Sequence, residues 1–175
     1  MKFTPTKIAG VQVIDLVQHG DDRGFFARCW DRETLLENGL DTDLSISAIT
    51  FNEHAGTLRG MHVQLPPFAE TKFVRVTRGA IFDVAVDLRK GSPTYLQWHG
   101  EILSADNRRQ LYIPKGCAHG YLTLEPKTEL TYFLSAAYSP EHARGVRYND
   151  AAFGIKWPGE VKVIAPRDAQ YAEYE

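Results

Sequence analysis

The chain has 175 residues, of which 43% are hydrophobic and 24% charged, and its formal net charge at pH 7 is −2. These values are usual for a soluble globular protein, and the length suits one domain covering residues 1–175 rather than two. The slight acidic excess argues against a nucleic-acid-binding protein, which would carry a basic surface.

Alternation of apolar and polar residues, with many β-branched and aromatic side chains, predicts strands through most of the chain. In chain order the predicted strands cover residues 11–17, 44–51, 72–77, 80–88, 95–103, 110–113, 118–124 and 128–135. Short turns containing glycine or proline separate several of them. Many short strands at such spacing are typical of a sandwich or a barrel, so the predicted fold class is all-β.

One helix is predicted between the first two of these strands. It begins after Asp31, whose side chain can cap it, and ends at Asn38-Gly39. Glu33 in the first turn suits the positive end of the helix dipole. The C-terminal third of the chain is less regular, and short helical turns are predicted around residues 139–144.

Neither the N-terminus nor any internal segment predicts membrane targeting. No stretch approaches the roughly 20 apolar residues of a membrane helix, and no apolar run typical of a signal peptide follows Met1. Cys29 and Cys117 lie far apart and in no CxxC pattern, so no disulfide framework is predicted. We therefore expect a cytoplasmic protein with no membrane or nucleic-acid partner.

Three segments carry the side chains best suited to chemistry: residues 22–26, residues 58–64 with Lys72 beyond them, and residues 113–121 followed by Tyr132. Taken singly, each has an ordinary structural explanation, such as a solvated turn arginine or a structural histidine. A small barrel, however, can gather side chains from separate strands in its interior. The residues that this would bring together are His62, Lys72, His119 and Tyr132.

The second segment contains a possible irregularity. Strict alternation would place Arg59 and His62 on opposite faces of a strand. Gly60 lies between them and can mark a β-bulge that re-aims one of the two side chains. With such a bulge, both residues can face the same cavity.

Several blocks, in one order along the chain, carry a resemblance to a known family: RGMHVQ at 59–64, DVAVDLR at 83–89, IPKG and HG within 113–120, and YND with WP within 148–158. On these blocks the chain resembles the dTDP-4-dehydrorhamnose 3,5-epimerases. The resemblance implies a homodimer of cupin-type double-stranded β-helix (jelly-roll) barrels with short flanking helices. It also implies inversion of C3, C5 or both in a nucleotide-linked 4-keto-6-deoxyhexose, with no metal or other cofactor.

The same resemblance implies roles for single residues. His62 matches the general base, Asp168 the carboxylate paired with it, and Tyr132 the acid on the opposite face of the sugar. Lys72 matches the position that stabilises the enolate oxygen. Substrate-contact positions, some of them reaching the nucleotide from the neighbouring subunit, are matched by Arg23, Phe26, Arg59, His119 and Tyr138.

These residue types suit the implied reaction. A carbon beside a ketone loses a proton to give an enolate, and inversion returns a proton on the opposite face. Histidine is a suitable base near neutral pH, and a carboxylate partner fixes its tautomer and raises its basicity. A tyrosine phenol can return the proton, and an ammonium group can stabilise the oxyanion. The ketone itself activates the carbon, so the reaction requires neither a metal nor a nicotinamide.

The chain departs from the family pattern at substrate-recognition positions. Ser47 and Ile49 stand where glutamine and asparagine are usual, and Phe51 where a small polar residue is common. Arg28 stands where the family typically has a glutamate that accepts from thymine N3–H. A guanidinium group instead matches acceptors on cytosine or guanine. A CDP-linked 3,6-dideoxy-4-ketohexose, or a GDP-sugar, is therefore an alternative substrate; the other interpretation is that Arg28 faces solvent.

Two further function classes stay open. A metal-dependent cupin enzyme would draw its ligands from His62, Gln64, Glu70 and His119, although glutamine is a poor ligand for transition metals. A non-catalytic sugar-binding module would keep the pocket but would not need a base and an acid on opposite faces. A stoichiometric metal in the purified protein would favour the first class, and absence of solvent-proton exchange would favour the second.

Overall fold

A computed structural model describes residues 1–174, and strands make up most of the regular structure in that range. The strands are β1 Lys2–Pro5, β2 Gln12–Asp15, β3 His19–Asp21, β4 Gly24–Phe26, β5 Ile46–Asn52, β6 Thr57–Gln64, β7 Lys72–Arg78, β8 Ala80–Asp87, β9 Trp98–Ser104, β10 Gln110–Ile113, β11 Cys117–Thr123, β12 Thr128–Leu134, β13 Ala143–Gly145 and β14 Val163–Ile164. The helices are α1 Arg32–Glu37 and α2 Pro166–Ala169. The predicted all-β class is confirmed.

Most strands belong to two large sheets. The first has the order β1-β2-β10-β7-β12-β5, and the second has the order β13-β6-β11-β8-β9, with β14 added beside β6. From β5 to β8 the chain alternates between the two sheets, as it does in a jelly roll. The hairpin of β3 and β4 forms a separate two-stranded sheet.

The main core lies between the two large sheets. Leu111 and Leu130 of the first sheet pack in one cluster with Ile81 and Leu103 of the second, and all four are fully buried. Burial of a side chain of this size stabilises a fold by about 1.5–3 kcal/mol. Tyr121 belongs to the same cluster, so the core continues directly into the cavity described below.

The predicted elements agree with the structure at most positions. Each of the eight predicted strands is confirmed within a few residues, and β10 begins and ends where predicted. Strand β9 begins at Trp98 rather than at residue 95, after a turn in which Leu96 has a left-handed φ of 64°. Helix α1 follows Asp31, whose side chain accepts from the backbone N–H of Thr34, and ends at the cap residue Asn38.

Two regions differ from the prediction. Strand β6 is absent from the predicted strands because most of its residues are buried on both faces, which hides the period-two alternation. Residues 139–144 form one turn, in which the N–H of Ala143 donates to the carbonyl of Ser139 at 2.8 Å. The predicted helical structure is thus limited to this single turn, since β13 begins at Ala143 and pairs with β6.

No helix within residues 1–174 is long and apolar enough to cross a membrane. Cys29 is half-buried and Cys117 is buried, and both are free thiols. Burial raises the pKa of the Cys117 thiol to about 12, so this cysteine stays protonated at neutral pH.

Candidate active site

A cavity of about 300 Å³ opens where strands of both sheets meet. Its lining comes from β5, β6, β7, β11, β12 and the segment just before β7, and consists of Ala48, Thr50, Arg59, His62, Glu70, Lys72, His119, Tyr121, Tyr132 and Leu134. The four side chains that the sequence selects from separate strands therefore do meet in one cavity. Arg59 joins them.

The bulge predicted at Gly60 brings Arg59 into this group. His62 pairs with His119 and Arg59 pairs with Tyr121, so three steps along β6 face two steps along β11. Gly60 has a φ of 128°, and a Cβ there would lie 2.5 Å from the Cα of Gly120. A residue with a side chain suits neither this backbone conformation nor this close approach. The extra residue turns Arg59 and His62 toward the same cavity.

His62 is held by Asp168, which α2 carries from the C-terminal end of the chain. The Nε2 atom of His62 lies 2.8 Å from Oδ1 of Asp168, and the backbone N–H of Gly60 donates to Oδ2 at 3.0 Å. Burial alone would raise the pKa of Asp168, but these two hydrogen bonds outweigh it and the pKa is lowered. An ionised carboxylate can only accept, so Nε2 carries the hydrogen and Nδ1 is the basic nitrogen.

Lys72 reaches the cavity from the start of β7 with a carboxylate beside it. Its Nζ lies 3.1 Å from Oε1 of Glu70, and the two side chains are 9% and 11% exposed. Glu70 also accepts from Nε2 of Gln64 at 3.3 Å. A charge buried without a partner would cost several kcal/mol. The pairing therefore allows an ammonium group to face the cavity.

Tyr132 lies on β12, in the other sheet from His62, and its ring meets that of His119 edge to face at 6.0 Å. Nε2 of His119 lies 2.7 Å from Oδ1 of Asp83, and both side chains are almost completely buried. Burial raises the pKa of Tyr132 well above its ordinary value, and nearby Tyr121 and Asp83 raise it further. The phenol is therefore protonated at neutral pH.

Four residues of the site have roles that the sequence does not predict: Asn52, Glu70, Asp83 and Tyr121. The sequence does contain a signal for Asp83. An acidic residue inside the almost entirely buried strand β8 needs a buried partner. Tyr121 follows His119 by two residues, which places both on one face of a strand. No sequence pattern indicates the roles of Asn52 and Glu70 in the site, because the contacts of both residues depend on how strands distant in sequence come together.

Tyr138 lines a neighbouring recess, also of about 300 Å³, rather than the cavity itself. The recess shares His62, Glu70 and Lys72 with the cavity, so the two spaces adjoin. The hydroxyl of Tyr138 accepts from the guanidinium group of Arg167 at 3.3 Å. A ligand larger than one ring could therefore contact both spaces.

Arg23, Phe26 and Arg28 do not line the cavity. Arg23 forms an ion pair with Asp21 inside the β3–β4 hairpin, and Phe26 is 64% exposed. Nη1 of Arg28 lies 2.9 Å from Oδ2 of Asp31, and the arginine side chain is largely exposed. Within one chain, therefore, none of these three residues shares the cavity of His62 and Tyr132.

Ser47 also lies outside the cavity, on the edge strand β5. Ala48 and Thr50 of this strand line the cavity, whereas Ser47, Ile49 and Phe51 are the exposed alternate residues. Ile49 is 69% exposed and Phe51 46%. Three of the four positions at which the chain departs from the family pattern thus form an outward-facing row, and Arg28 lies elsewhere.

Within residues 1–174, no three His, Cys, Asp or Glu side chains are grouped so that they could hold a metal ion. The Nε2 atoms of His62 and His119 are directed at carboxylates instead. Gln64, a ligand in the metal-dependent alternative, donates to the carbonyl of Ala137 and accepts from the N–H of Ser139. Its amide therefore supports the loop before β13.

Known proteins resemble this chain along nearly all of its length. The family profile described as dTDP-4-dehydrorhamnose 3,5-epimerase matches residues 5–175. The protein of that name from Sinorhizobium fredii is 45% identical over 158 residues, which cover 90% of this chain and 81% of the relative.

Two solved structures share the fold. The Bacillus anthracis dTDP-4-dehydrorhamnose 3,5-epimerase, with TDP and PPi bound, has a TM-score of 0.95 at 40% identity and covers 99% of both chains. The Legionella pneumophila enzyme, in complex with dTDP-4-keto-L-rhamnose, has a TM-score of 0.91 at 37% identity, covering 97% of this chain and 90% of that one.

These comparisons confirm the cupin-type jelly roll implied by the sequence blocks. The relatives named here are dTDP-sugar enzymes. They support the dTDP interpretation of the sequence and give no support to the CDP- or GDP-linked alternatives. The chain belongs to the dTDP-4-dehydrorhamnose 3,5-epimerase family.

Proposed function

We propose that this chain inverts C3 and C5 of a dTDP-linked 4-keto-6-deoxyhexose by removing and returning the protons beside the ketone. Membership of the epimerase family supports this reaction. The observation that carries the proposal is that His62 and Tyr132 face one cavity from opposite sheets, with Lys72 in the same cavity. A base, an acid and a cation at the oxyanion are the groups that the reaction needs.

In the first step, Nδ1 of His62 takes the proton from the carbon beside the ketone, and the electron pair moves to the ketone oxygen. The ammonium group of Lys72 stabilises the resulting enolate oxygen. Asp168 stabilises the imidazolium through the 2.8 Å hydrogen bond to Nε2. The bond from Gly60 keeps the carboxylate in place during this change.

In the second step, Tyr132 gives its phenolic proton to the same carbon from the opposite face. The enolate electrons form the new C–H bond, the ketone is restored and a phenolate remains. Arg59 and His119 contact the substrate from β6 and β11, since both line the cavity. Tyr138 contacts it from the adjoining recess.

We further propose that two chains form a homodimer in which each contributes residues to the other's site. Arg23, Phe26 and Arg28 lie outside the cavity of their own chain and are exposed. The outer face of the edge strand β5 presents apolar Ile49 and Phe51 to solvent, and proteins usually cover such a surface. In the dimer, the arginines and Phe26 would meet the nucleotide of the substrate bound to the partner.

The cytoplasm is the proposed compartment. Both cysteines are free thiols, and thiols persist in reducing compartments. Neither proposed chemical step uses a thiol, and Cys117 lies in the core cluster rather than in the cavity.

The proposed function is tested by incubating the protein with dTDP-4-keto-6-deoxyglucose and reading the configuration of the product from proton coupling constants. We expect inversion at C3 and C5 with the unsubstituted chain and none with His62→Asn. His142→Asn is a matched control, because His142 bonds to Ser139 and does not line the cavity. A substrate left unchanged at both carbons by the unsubstituted chain would contradict the proposal.

A further inference from the structure

Tyr132, the acid of the proposed reaction, lies in an environment that disfavours a negative charge. Tyr132 packs against the main core, and burial holds the pKa of its phenol well above the ordinary value. After it has given up its proton, the phenolate would be an unpaired charge in a site that disfavours charge. Something near its oxygen must therefore donate a hydrogen bond at that moment.

Tyr121 is in a suitable position. It lies on β11, is 1% exposed, and lines the cavity together with Tyr132. Its hydroxyl donates to Oδ1 of Asn52 at 3.2 Å. Asn52 is itself 2% exposed and comes from the end of β5. The cavity of the acid is thus lined by a second buried tyrosine whose hydroxyl is bonded to a buried amide.

The same amide oxygen has a second donor. Nε of Arg59 donates to Oδ1 of Asn52 at 2.8 Å, and Nδ2 of Asn52 donates to the carbonyl of Thr128 at 3.3 Å. The amide oxygen therefore keeps one hydrogen bond if Tyr121 turns its hydroxyl away. Leaving a buried acceptor unpaired would otherwise oppose that rotation.

The two phenols lie beside the same imidazole. The ring centroids of Tyr121 and Tyr132 are 6.3 Å and 6.0 Å from that of His119, and Tyr132 packs against the core cluster that contains Tyr121. Arg59 lowers the pKa of both phenols through its charge. A phenolic hydroxyl can rotate about its C–O bond, so Tyr121 can turn its hydrogen toward a neighbour that has lost its proton.

Building on the proposed function, we propose that Tyr121 is a positioning residue for the acid: its O–H turns from Asn52 to the Tyr132 phenolate that proton transfer creates. No proton leaves Tyr121 in this step, and one hydrogen bond replaces another. Arg59 holds Asn52 in the meantime and adds positive charge to the pair. The Arg59–Asn52–Tyr121 network thereby makes a partly buried tyrosine, with a raised pKa, usable as an acid.

Tyr121→Phe tests this, because phenylalanine keeps the ring in the core and removes only the donor. Two rates are measured in D₂O on one sample: inversion, and exchange of solvent deuterium into the carbons beside the ketone. His62 can remove a proton and return a deuteron on its own face without the acid. We expect inversion to fall about ten- to hundredfold, the usual effect of losing one hydrogen bond to a charged group, while exchange continues.

Tyr112→Phe is the matched control. Tyr112 is also a buried tyrosine, and its hydroxyl accepts from the N–H of Asp41 at 3.1 Å, away from the cavity. This variant should leave the ratio of exchange to inversion unchanged. A loss of core packing alone would lower exchange and inversion together. The ratio of the two rates therefore distinguishes a positioning role of Tyr121 from a loss of stability.

The second measurement repeats Tyr121→Phe in a Tyr132→Phe background. If Tyr121 acts through Tyr132, the second substitution should lower inversion by less than about twofold, since coupled residues are not additive. Should Tyr121→Phe fold poorly, 3-fluorotyrosine at position 121 keeps the shape and gives a stronger donor, and inversion should then be at least as fast as in the unsubstituted chain.

Unchanged inversion in Tyr121→Phe, a parallel loss of exchange and inversion, or an undiminished effect in the Tyr132→Phe background would each overturn the inference. A slower 3-fluorotyrosine variant would do the same. If the unsubstituted chain exchanges no deuterium into any 4-keto nucleotide sugar, the result contradicts both the proposed function and the inference that rests on it. If that chain is active and Tyr121→Phe inverts the substrate at the same rate, the result contradicts only the inference.

Discussion

At the scale of single residues, two histidines and a lysine of the site each have a close carboxylate partner that is largely buried. His62 is paired with Asp168, His119 with Asp83 and Lys72 with Glu70. Such pairing matters because an isolated charge at these depths would cost several kcal/mol. In the first proposed proton transfer, Asp168 already compensates the charge that forms on His62, and Lys72 the charge on the enolate oxygen.

Asp168→Asn should separate the role of this carboxylate from its contribution to the fold. The amide can no longer fix the tautomer of His62 or stabilise its imidazolium form, so kcat should fall by about 10²–10⁴-fold. KM and the melting temperature should change little. Asp106→Asn, on the exposed surface, is the control. A variant with normal kcat would show that His62 does not depend on this carboxylate.

At the scale of elements, the bulge in β6 determines which side chains enter the cavity. It requires Gly60 and Gly120 to approach each other without side chains between them. Gly60→Ala should destabilise the fold by about 1–3 kcal/mol through backbone strain and contact. It should also abolish activity, because Arg59 and His62 would no longer face one cavity.

Melting temperature and kcat of Gly60→Ala are compared with those of Gly91→Ala. Gly91 has no neighbour within 4 Å of an added Cβ and no positive φ, so that control should behave like the unsubstituted chain. Equal activity in the two variants would show that the bulge does not position the site.

The loop after β8 is held by one buried carboxylate. Asp87 accepts from Nε of Arg89 at 2.7 Å and from the hydroxyls of Ser92 and Thr94. Burial would raise its pKa, but these hydrogen bonds lower it below the ordinary value of 3.8. The stabilisation is therefore fully present above that ordinary value and is lost as the pH falls through the lower, folded-state pKa.

Asp87→Asn should lower the free energy of unfolding at pH 7 by about 3–5 kcal/mol, because it leaves Arg89 without its buried partner. Denaturant unfolding at pH 7 and at progressively lower pH measures the difference between this variant and the unsubstituted chain. The difference should shrink as the pH falls below the ordinary pKa of an aspartate. A constant difference across the range would contradict the assignment to an ionised Asp87.

The sequence predicts those elements whose pattern is local. Strand β10 and the Asp31 cap of α1 follow from alternation and from capping chemistry, and both are confirmed. Strand β6 is not predicted because burial on both faces removes its alternation. The contact of Asn52 with Tyr121 joins β5 of the first sheet to β11 of the second, so it depends on how the two sheets pack, which no local pattern specifies.

At the scale of the whole molecule, the proposed recognition residues and the proposed catalytic residues occupy separate surfaces. Arg23 and Phe26 lie on the exposed β3–β4 hairpin, whereas His62 and Tyr132 face the cavity. A symmetric dimer would allow the hairpin of one chain to complete the cavity of the other. The proposed activity would then depend on assembly.

Subunit complementation tests that dependence. Arg23→Ala and His62→Asn should each be nearly inactive, but a mixture refolded together should recover about a quarter of full activity, because half of the randomly formed dimers hold one intact site. Sedimentation analysis confirms that the mixture is dimeric. Activity no higher than the sum of the two separate variants would show that each site is complete within one chain.

The most direct test of the central claim is the fate of solvent deuterium in a bound dTDP-4-keto sugar, followed by NMR for three proteins. The unsubstituted chain should both exchange and invert the carbons beside the ketone. Tyr132→Phe should keep exchanging while its inversion falls to a slow residual rate, and His62→Asn should do neither. Exchange by His62→Asn at the normal rate, or normal inversion by Tyr132→Phe, would contradict the account of one base and one acid on opposite faces of the sugar.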